Sequence, residues 1–401
     1  MDAKSKILLT VAMLFSAANA IANTFLSVFL MRSTDNSINL IIWQNILNYL
    51  VLLLAFVGST RLLKRFTIAQ TFRAGIAATA LYYILILIFH THIAPFVVPL
   101  GLFSGLGSGL YWFSLNLLIG DIVKEPMQAR FFSYQQTAGF IFGIVIPALS
   151  GFLIVQFTGL TGYYILFAAS ILVFAAAIFL IKNISGFKRE PDLNVFGALR
   201  LRGNKFWAAN KMLEFSIGYK NAVNSLVFIL FAYLLFTHEN IIGSFSSLQA
   251  AISVISSLIF ARAFRQAHTR GVYLLTACAS AGMFIILALF ANPISLIIAF
   301  IVFGIIQSWG NAISNAVNYQ LASRAGGGFS QREYIIASEF PIAAGRIGGL
   351  LLALLLVMLT HSDLTAYRLL FVSIALMWLI EYFYINHKVH WLADEFKKTE
   401  S

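Results

Sequence analysis

Long apolar runs separated by short polar segments make up most of the chain. A helix needs about 20 mostly apolar residues to cross a bilayer, and twelve runs reach or approach that length. The runs are continuous and lack the alternation of barrel strands, so they predict helices. The predicted spans are Ile7–Met31, Ile38–Val57, Ala74–Phe89, Pro95–Ile119, Phe131–Gln156, Gly162–Ile181, Phe215–Phe236, Asn240–Ala261, Gly271–Ala291, Ile294–Ala322, Tyr334–Thr360 and Ala366–Ile385.

The composition supports an all-α polytopic membrane protein. Of the 401 residues, 60% are hydrophobic and 10% are charged, whereas soluble domains carry about 25% charged residues. The net charge of +12 does not indicate nucleic-acid binding, because no segment is long and polar enough to form a basic water-facing domain. The first apolar run continues past Ala18-Asn19-Ala20, so we expect a membrane helix there and not a cleaved signal peptide.

Basic residues alternate sides along the chain. All of the 27 except Arg32, Lys220, Arg346 and Arg368 lie in the N-terminus, the even-numbered loops or the C-terminus. Cytoplasmic loops of membrane proteins are enriched in Lys and Arg. The distribution therefore predicts that both termini are cytoplasmic and that the protein lies in the cytoplasmic membrane.

The spans divide into two halves. We predict a six-helix bundle over residues 1–182, a cytoplasmic linker over 183–211, and a second six-helix bundle with a short tail over 212–401. Apolar residues between Val195 and Trp207 alternate with basic ones, which fits either an interfacial helix or a solvated linker. A shift of 202 residues aligns Asn19 with Asn221 and Arg130 with Arg332, as expected for an internal repeat.

The segment from Asp121 to Gly151 carries an acidic residue at the end of the fourth helix, then Pro126 and Arg130, then a glycine-rich helix. It resembles the link between helices four and five of the major facilitator superfamily, and the twelve-helix topology matches over the whole chain. The resemblance implies a secondary transporter that works by alternating access, without a cofactor.

The same resemblance implies a cytoplasmic gate. Asp121 would engage the loop between the second and third helices, where Arg61 and Arg65 are expected to share a face, and Arg130 would flank it. That loop lacks the family's usual Asp, with Leu62 in its place, and the fourth helix has no buried Arg. Both departures argue against a drug–proton antiporter.

Polar side chains lie in line within several predicted spans. An unpaired amide in hydrocarbon costs several kcal/mol, so these faces should point at other helices or at water. We predict that they line a substrate cavity, with the aromatic rings of Tyr111, Trp112 and Trp309 nearby for stacking. The candidates are Asn19, Asn23, Gln44, Trp112, Asn116, Asn224, Gln249, Gln307, Asn311 and Asn315.

Lys220 and Arg346 are predicted near the middle of the bilayer, where basic residues usually mark a pathway. Glu339 lies seven residues before Arg346, about 10 Å away by helix rise, so a direct salt bridge is expected to be strained. Glu214 is expected to point away from Lys220. We therefore expect a positive, amide-lined cavity for an anionic or polyhydroxylated solute, with Glu339 as an alternative site for a coupling proton.

Pairing of the two basic residues with Glu339 or Glu381 is the structural alternative. The expected partners are a small-molecule substrate, a coupling proton or ion, and the lipid bilayer, with no nucleic acid, and the protein is expected to be a monomer. Other functions left open are a multidrug or lipid exporter and a membrane partner protein that does not transport.

Enzymatic functions are disfavoured by failed motifs. Leu106 stands two residues before Ser108, where an intramembrane serine protease would need Gly, and the glycine-rich segment from Arg324 to Ser330 lacks the Lys of a phosphate loop.

The predicted topology is testable with single cysteines in a Cys278→Ser background. An impermeant thiol reagent added to intact cells should label a cysteine at position 238 and spare one at position 197, because the second site is predicted to be cytoplasmic. Both should label after permeabilisation. Labelling at 197 with protection at 238 would reverse the predicted orientation.

Overall fold

The structure, a computed structural model, describes residues 2–35, 37–182, 184, 195–201, 203–263, 269–325, 328–329, 331–360 and 362–388. The predicted cytoplasmic tail beyond residue 388 and most of the predicted linker lie outside these residues.

Helices form nearly all of the described chain. Their bounds are α1 Ala3–Asn23, α2 Leu26–Ser33, α3 Ile38–Leu62, α4 Ile68–Phe89, α5 Val97–Ile122, α6 Glu125–Val155, α7 Thr161–Ile181, α8 Val195–Leu199, α9 Lys205–Phe236, α10 Glu239–Ala263, α11 Thr269–Phe290, α12 Pro293–Arg324, α13 Gln331–Leu359 and α14 Asp363–Lys388. Among the described residues, twelve segments are long and apolar enough to cross a membrane, with α1 and α2 forming one of them. This confirms the predicted all-α, twelve-span fold; the orientation of the termini stays a prediction.

The first span is broken, which the sequence did not predict. Helix α1 ends at Asn23, and α2 begins at Leu26. The Thr24 hydroxyl donates a hydrogen bond to the Ala20 carbonyl over 2.6 Å, and Phe25 leaves the helical region with φ −117° and ψ 16°. Thr side chains that bond back to a carbonyl four residues earlier compete with the helical ladder and bend it. The break places Asn23 at a helix end.

The chain forms two compact units. Unit 1 comprises residues 1–192 and 236–247, and unit 2 comprises residues 193–235 and 248–401. Residues 236–247, which the sequence analysis assigned to the second bundle, therefore group with the first half of the chain. The bundle boundaries drawn from the sequence stay a prediction.

Unit 1 is built around α5. Its small residues face two neighbours: Gly101, Gly105 and Gly109 face α3, and Gly107 faces α4. A Cβ added at Gly109 would lie 2.6 Å from the Leu52 carbonyl oxygen, which is backbone and cannot move aside. Glycines at four-residue spacing let helix backbones approach closely in membranes. The glycines of α5 therefore allow close packing on both neighbouring helices.

Unit 2 packs α9 against α13 in the same way. Gly218 on α9 faces the Ile342 backbone, and Gly345 on α13 faces the Phe215 backbone. The adjacent core is apolar and contains Ala209, Leu213, Tyr273, Ala277, Ile313, Val317, Leu321, Tyr382 and Ile385. Gly345 thus lies at a close helix–helix contact, whereas a Cβ at Gly139 on α6 would meet nothing within 4 Å.

The end of the predicted linker is helical. Helix α9 begins at Lys205, ten residues before the predicted Phe215, and Trp207 is fully buried in it. Trp207 therefore does not belong to an interfacial helix. The short α8 precedes it, with Gly203 at φ +77° between the two, a conformation that favours glycine.

Matched Gly→Ala changes should separate packing from helix propensity. Gly105→Ala should lower the melting temperature of the purified protein, because overpacking against the α3 backbone costs about 1–3 kcal/mol. Gly139→Ala should leave it unchanged or raise it slightly, because an open helical glycine gains from the substitution. Equal melting temperatures for the two variants would contradict the close contact between α3 and α5.

Candidate functional site

The Glu381 carboxylate on α14 is the centre of a polar cluster in unit 2. It is 0% exposed. Lys220 Nζ lies 2.5 Å from its Oε2 atom, the Ser216 hydroxyl donates to the same oxygen, and the Tyr273 hydroxyl donates to Oε1 over 2.7 Å. Three helices, α9, α11 and α14, thus meet at one side chain. A buried ion pair persists when further hydrogen bonds satisfy the charged groups, as they do here.

Lys220 is enclosed on its other side by an aromatic ring. Its Nζ atom lies 3.4 Å from the centroid of the Trp378 ring, one turn before Glu381 on α14. Trp378 is itself accommodated by Gly310 on α12, where an added Cβ would meet the ring at 3.2 Å. Lys220 is therefore occupied by protein partners, a carboxylate and a π face.

Glu214, on the same helix as Lys220, belongs to the same cluster. Asn318 on α12 donates from Nδ2 to Glu214 Oε1 over 2.7 Å, and Asn210 donates to Asn318 Oδ1 over 2.5 Å. Glu214 is buried and interacts electrostatically with Glu339, Arg346 and Glu381. Glu214 is bonded to Asn318 and not to Lys220, and helix periodicity on α9 alone does not reveal that α12 lies opposite this carboxylate.

Glu339 and Arg346 form an ion pair along α13, with Arg346 Nη1 3.8 Å from Glu339 Oε2. This separation is too long for a hydrogen bond, in keeping with the expectation of a strained bridge, but the two side chains do approach one another. Long helical side chains lean toward the N-terminus, so the arginine reaches back along the same face toward the glutamate. Glu339 Oε2 is buried and accepts no hydrogen bond within the described residues.

The five side chains Glu214, Lys220, Glu339, Arg346 and Glu381, called the charged cluster below, contain three carboxylates and two basic groups. The sequence analysis expected two uncompensated positive charges. The structure contradicts that expectation, since each basic group has a carboxylate partner and one carboxylate, Glu214, is held by an amide. The structural alternative, pairing with Glu339 and Glu381, is what the structure shows.

Unit 1 carries an uncharged polar group. Tyr83 on α4 donates to Asn23 Oδ1 over 3.0 Å, and Asn23 donates to Asn19 Oδ1 over 3.2 Å. Gln44 on α3 donates to the Tyr82 hydroxyl over 3.3 Å. The structure thus brings three of the predicted amides next to a pair of adjoining tyrosines, whose rings lie 4.9 Å apart.

The predicted amide residues on α12 lie in different surroundings. Gln307 accepts a hydrogen bond from Gln249 on α10 over 3.5 Å, so these two predicted site residues contact one another. Asn311 and Asn315 are exposed within the span. Asn224 on α9 is half-buried, and its Oδ1 atom accepts no hydrogen bond within the described residues.

The candidate aromatic residues differ in exposure and in their contacts. Trp112 is 45% exposed and lies one turn before Asn116, which is also exposed, so their role in a substrate cavity stays a prediction. Tyr111 is fully buried with its ring stacked on Phe15 at 3.4 Å between centroids. Trp309 donates to the Ser256 carbonyl over 3.3 Å. Tyr111 and Trp309 therefore serve packing.

The residues of the predicted cytoplasmic gate lie only partly where the sequence predicts. Asp121 is the second-last residue of α5, as expected, and Arg130 is exposed on α6. Arg61 and Arg65 are exposed but do not share a helical face, because α3 ends at Leu62. The gate itself stays a prediction.

Comparison with known proteins gives a consistent family. The Major Facilitator Superfamily model matches residues 8–331. The chain is 26% identical over 364 residues to the uncharacterized protein YqgE of Bacillus subtilis (strain 168), covering 89% of this chain and 83% of that one. Two solved structures are similar in fold. The nucleoside transporter NupG has a TM-score of 0.66 and 15% identity over 96% of this chain and 99% of its own. A D-xylose-proton symporter has a TM-score of 0.67 and 13% identity over 93% of this chain and 96% of its own.

The Lys220–Glu381 pair yields a stability prediction. Lys220→Met should destabilise the purified protein by about 3–5 kcal/mol, because it leaves a buried carboxylate without its cation. Adding Glu381→Gln should restore most of the loss, since the neutral amide oxygen still accepts hydrogen bonds from Ser216 and Tyr273. Thermal unfolding measures both. Equal stability of the single and double variants would contradict the pair's isolation from water.

Proposed function

The chain belongs to the major facilitator superfamily, and we propose on that basis that it is a secondary transporter. The family and its transporter neighbours make it a membrane transporter and not an enzyme. We propose further that it moves a small, polar, uncharged solute across the cytoplasmic membrane by alternating access, and that the coupling ion is a proton carried in unit 2.

The observation that carries the coupling proposal is the excess of carboxylates in the charged cluster. Lys220 neutralises Glu381, and Arg346 neutralises Glu339. Glu214 has Asn318 as its hydrogen-bond donor, and an amide carries no compensating charge. A lone carboxylate within a membrane span is costly and marks an ion or proton pathway. Binding one proton to Glu214 would make the cluster electrically neutral.

The surroundings of Glu214 also suit a group that changes its charge. Asn318 can present either its amide nitrogen to the ionised carboxylate or its carbonyl oxygen to the protonated one. Glu339 has a buried oxygen without a hydrogen-bond donor among the described residues and lies in electrostatic contact with Glu214. A proton lost from one of these carboxylates therefore alters the field at the other.

The substrate class follows from what remains once the charges are paired. An anion would need an uncompensated basic residue, and both Lys220 and Arg346 have carboxylate partners. Amides and hydroxyls both donate and accept hydrogen bonds, which matches a solute with several hydroxyl groups. Exposed Asn311 and Asn315 on α12 support a polar pathway, because amides do not face lipid without a partner. Of the two predicted classes, anionic or polyhydroxylated, we retain the second.

Proteoliposomes containing a trapped pH-sensitive dye test this function. A panel of neutral hydroxylated solutes, including a pentose and a nucleoside, should contain a solute that drives proton movement with the wild-type protein. Glu214→Gln should abolish the proton movement while exchange of labelled for unlabelled solute continues, because a fixed neutral side chain can still cycle but carries no proton.

Asp363→Asn is the matched control, since Asp363 is an exposed carboxylate in the first turn of α14. It should leave both proton movement and exchange unchanged. Persistent proton movement in Glu214→Gln would contradict the assignment of the coupling site. Transport of lipophilic cations, with none of the hydroxylated panel moving, would contradict the substrate class.

A further inference from the structure

Asn210 on α9 is a buried amide that uses only one of its two polar atoms. The side chain is 0% exposed. Its Nδ2 atom donates a hydrogen bond to Asn318 Oδ1 on α12 over 2.5 Å, whereas its Oδ1 atom accepts none within the described residues. Buried carbonyl oxygens are nearly always paired, because an unpaired one has lost its water without compensation. Asn210 Oδ1 is therefore an acceptor that this arrangement leaves unused.

The two asparagines and Glu214 form a chain of hydrogen bonds that runs in one direction. Asn210 donates to Asn318, and Asn318 donates from Nδ2 to Glu214 Oε1 over 2.7 Å. Asn210 and Glu214 are four residues apart on α9, so they lie on the same face of that helix. Each donor in the chain points toward the carboxylate, and this arrangement stabilises Glu214 in its ionised form.

A proton on Glu214 Oε1 would require the opposite direction. The protonated carboxyl group donates through its O–H, so Asn318 has to offer Oδ1 to it. The amide nitrogen of Asn318 then turns toward Asn210. Two N–H groups would face one another if Asn210 kept its orientation. When Asn210 turns as well, its Oδ1 atom accepts from Asn318 Nδ2.

Both directions contain the same number of hydrogen bonds. With Glu214 ionised, the unused atom of the chain is Asn210 Oδ1; with Glu214 protonated, it is Asn210 Nδ2. Reversal therefore exchanges two hydrogen bonds for two others. The amides only rotate and transfer no proton, because the proton binds to Glu214 from water and returns to water.

We infer that Asn210 is a positioning residue for the coupling proton, and that Asn210 and Asn318 turn together when Glu214 Oε1 binds it. This inference rests on the proposed function, because it needs Glu214 to gain and lose a proton. It adds a residue that does not contact Glu214 directly but acts on it through Asn318.

The charged groups around Glu214 have a different part. They are Glu339 and Arg346 on α13 and Glu381 on α14, and Glu381 is paired with Lys220 on α9. Their combined field sets how readily Glu214 binds a proton. The two asparagines determine which hydrogen bonds each protonation state makes.

Infrared difference spectra between high and low pH test the reversal. The purified protein is made with asparagine that carries 13C at the side-chain carbonyl. Protonated Glu214 should give a carboxyl C=O band that is absent from Glu214→Gln. Over the same pH range a labelled asparagine band should move to lower frequency, because Asn210 Oδ1 gains a donor and a carbonyl stretch falls in frequency when its oxygen accepts a hydrogen bond.

Three variants assign that labelled band. Asn210→Leu and the smaller Asn210→Ser should each remove it and keep the Glu214 carboxyl band, and either variant suffices if the other does not fold. Asn318→Leu removes the donor but keeps Asn210 and the charge change at Glu214, so the band shift should be lost here too. A purely structural role for Asn210 predicts no such pH-linked band. Asn39→Ser, at an exposed asparagine in the first turn of α3, is the matched control and should leave the difference spectrum unchanged.

The remaining outcomes overturn the inference in distinguishable ways. A Glu214 carboxyl band without any asparagine shift would place the proton on Oε2 and refute the reversal, while the proposed coupling site stands. A shift that persists in Asn318→Leu would be an effect of the field alone and would also refute it. If no carboxyl band is lost in Glu214→Gln, Glu214 does not titrate, and both the inference and the proposed coupling site fail.

Discussion

The buried carboxylate of Glu381 is the constraint on which the rest of unit 2 depends. In a membrane there is little water to solvate a charge, so a fully buried carboxylate must find its partners on other helices. Lys220, Ser216 and Tyr273 supply them from α9 and α11. The three helices are therefore held in one register, and Gly218 and Gly345 let α13 approach α9 closely. Removing the charge from one partner alone exposes the desolvation cost that the pair offsets.

Because Lys220 is committed to this pair, the functional meaning of the remaining charges changes. A free lysine beside Arg346 would attract anions, whereas the observed pairs leave Glu214 as the carboxylate in excess. The two ends of the charged cluster therefore differ. Both oxygens of Glu381 accept hydrogen bonds, whereas Glu339 at the other end retains a buried oxygen without a donor among the described residues. Groups that must gain and lose a proton belong at the second end, where the surroundings can accommodate either state.

The twelve spans could be predicted because span length and hydropathy are local properties of the sequence. The break at Thr24 could not, since Thr occurs in intact helices too and its bond to Ala20 competes with the ladder only in this setting. The candidate functional site was harder to predict. Asn19, Asn23 and Gln44 were identified from polar character alone, but their tyrosine partners on α4 carry no periodic signal. Glu214 was set aside because angles along α9 do not show that Asn318 of α12 lies opposite. Pairings between helices depend on tertiary packing, which a single sequence does not encode locally.

The uneven distribution of polar contacts along α10 joins these observations into one physical picture. In its unit 2 part, α10 is held by serine hydroxyls bonded to backbone carbonyls, short contacts buried within the span. In its unit 1 part, the Glu239 carboxylate accepts hydrogen bonds from Arg32 and Tyr163, the Ser247 hydroxyl accepts one from the Ala148 backbone, and the helix backbone packs closely on α6. Hydrogen bonds in hydrocarbon have no water to replace them, and the buried Glu239 carboxylate would likewise be left uncompensated if it lost Arg32. Both parts of α10 are therefore fixed by directional contacts, although the chemistry of those contacts differs. The two buried carboxylates Glu239 and Glu381 thus follow one rule, since each is held by a basic residue and a tyrosine hydroxyl from other helices.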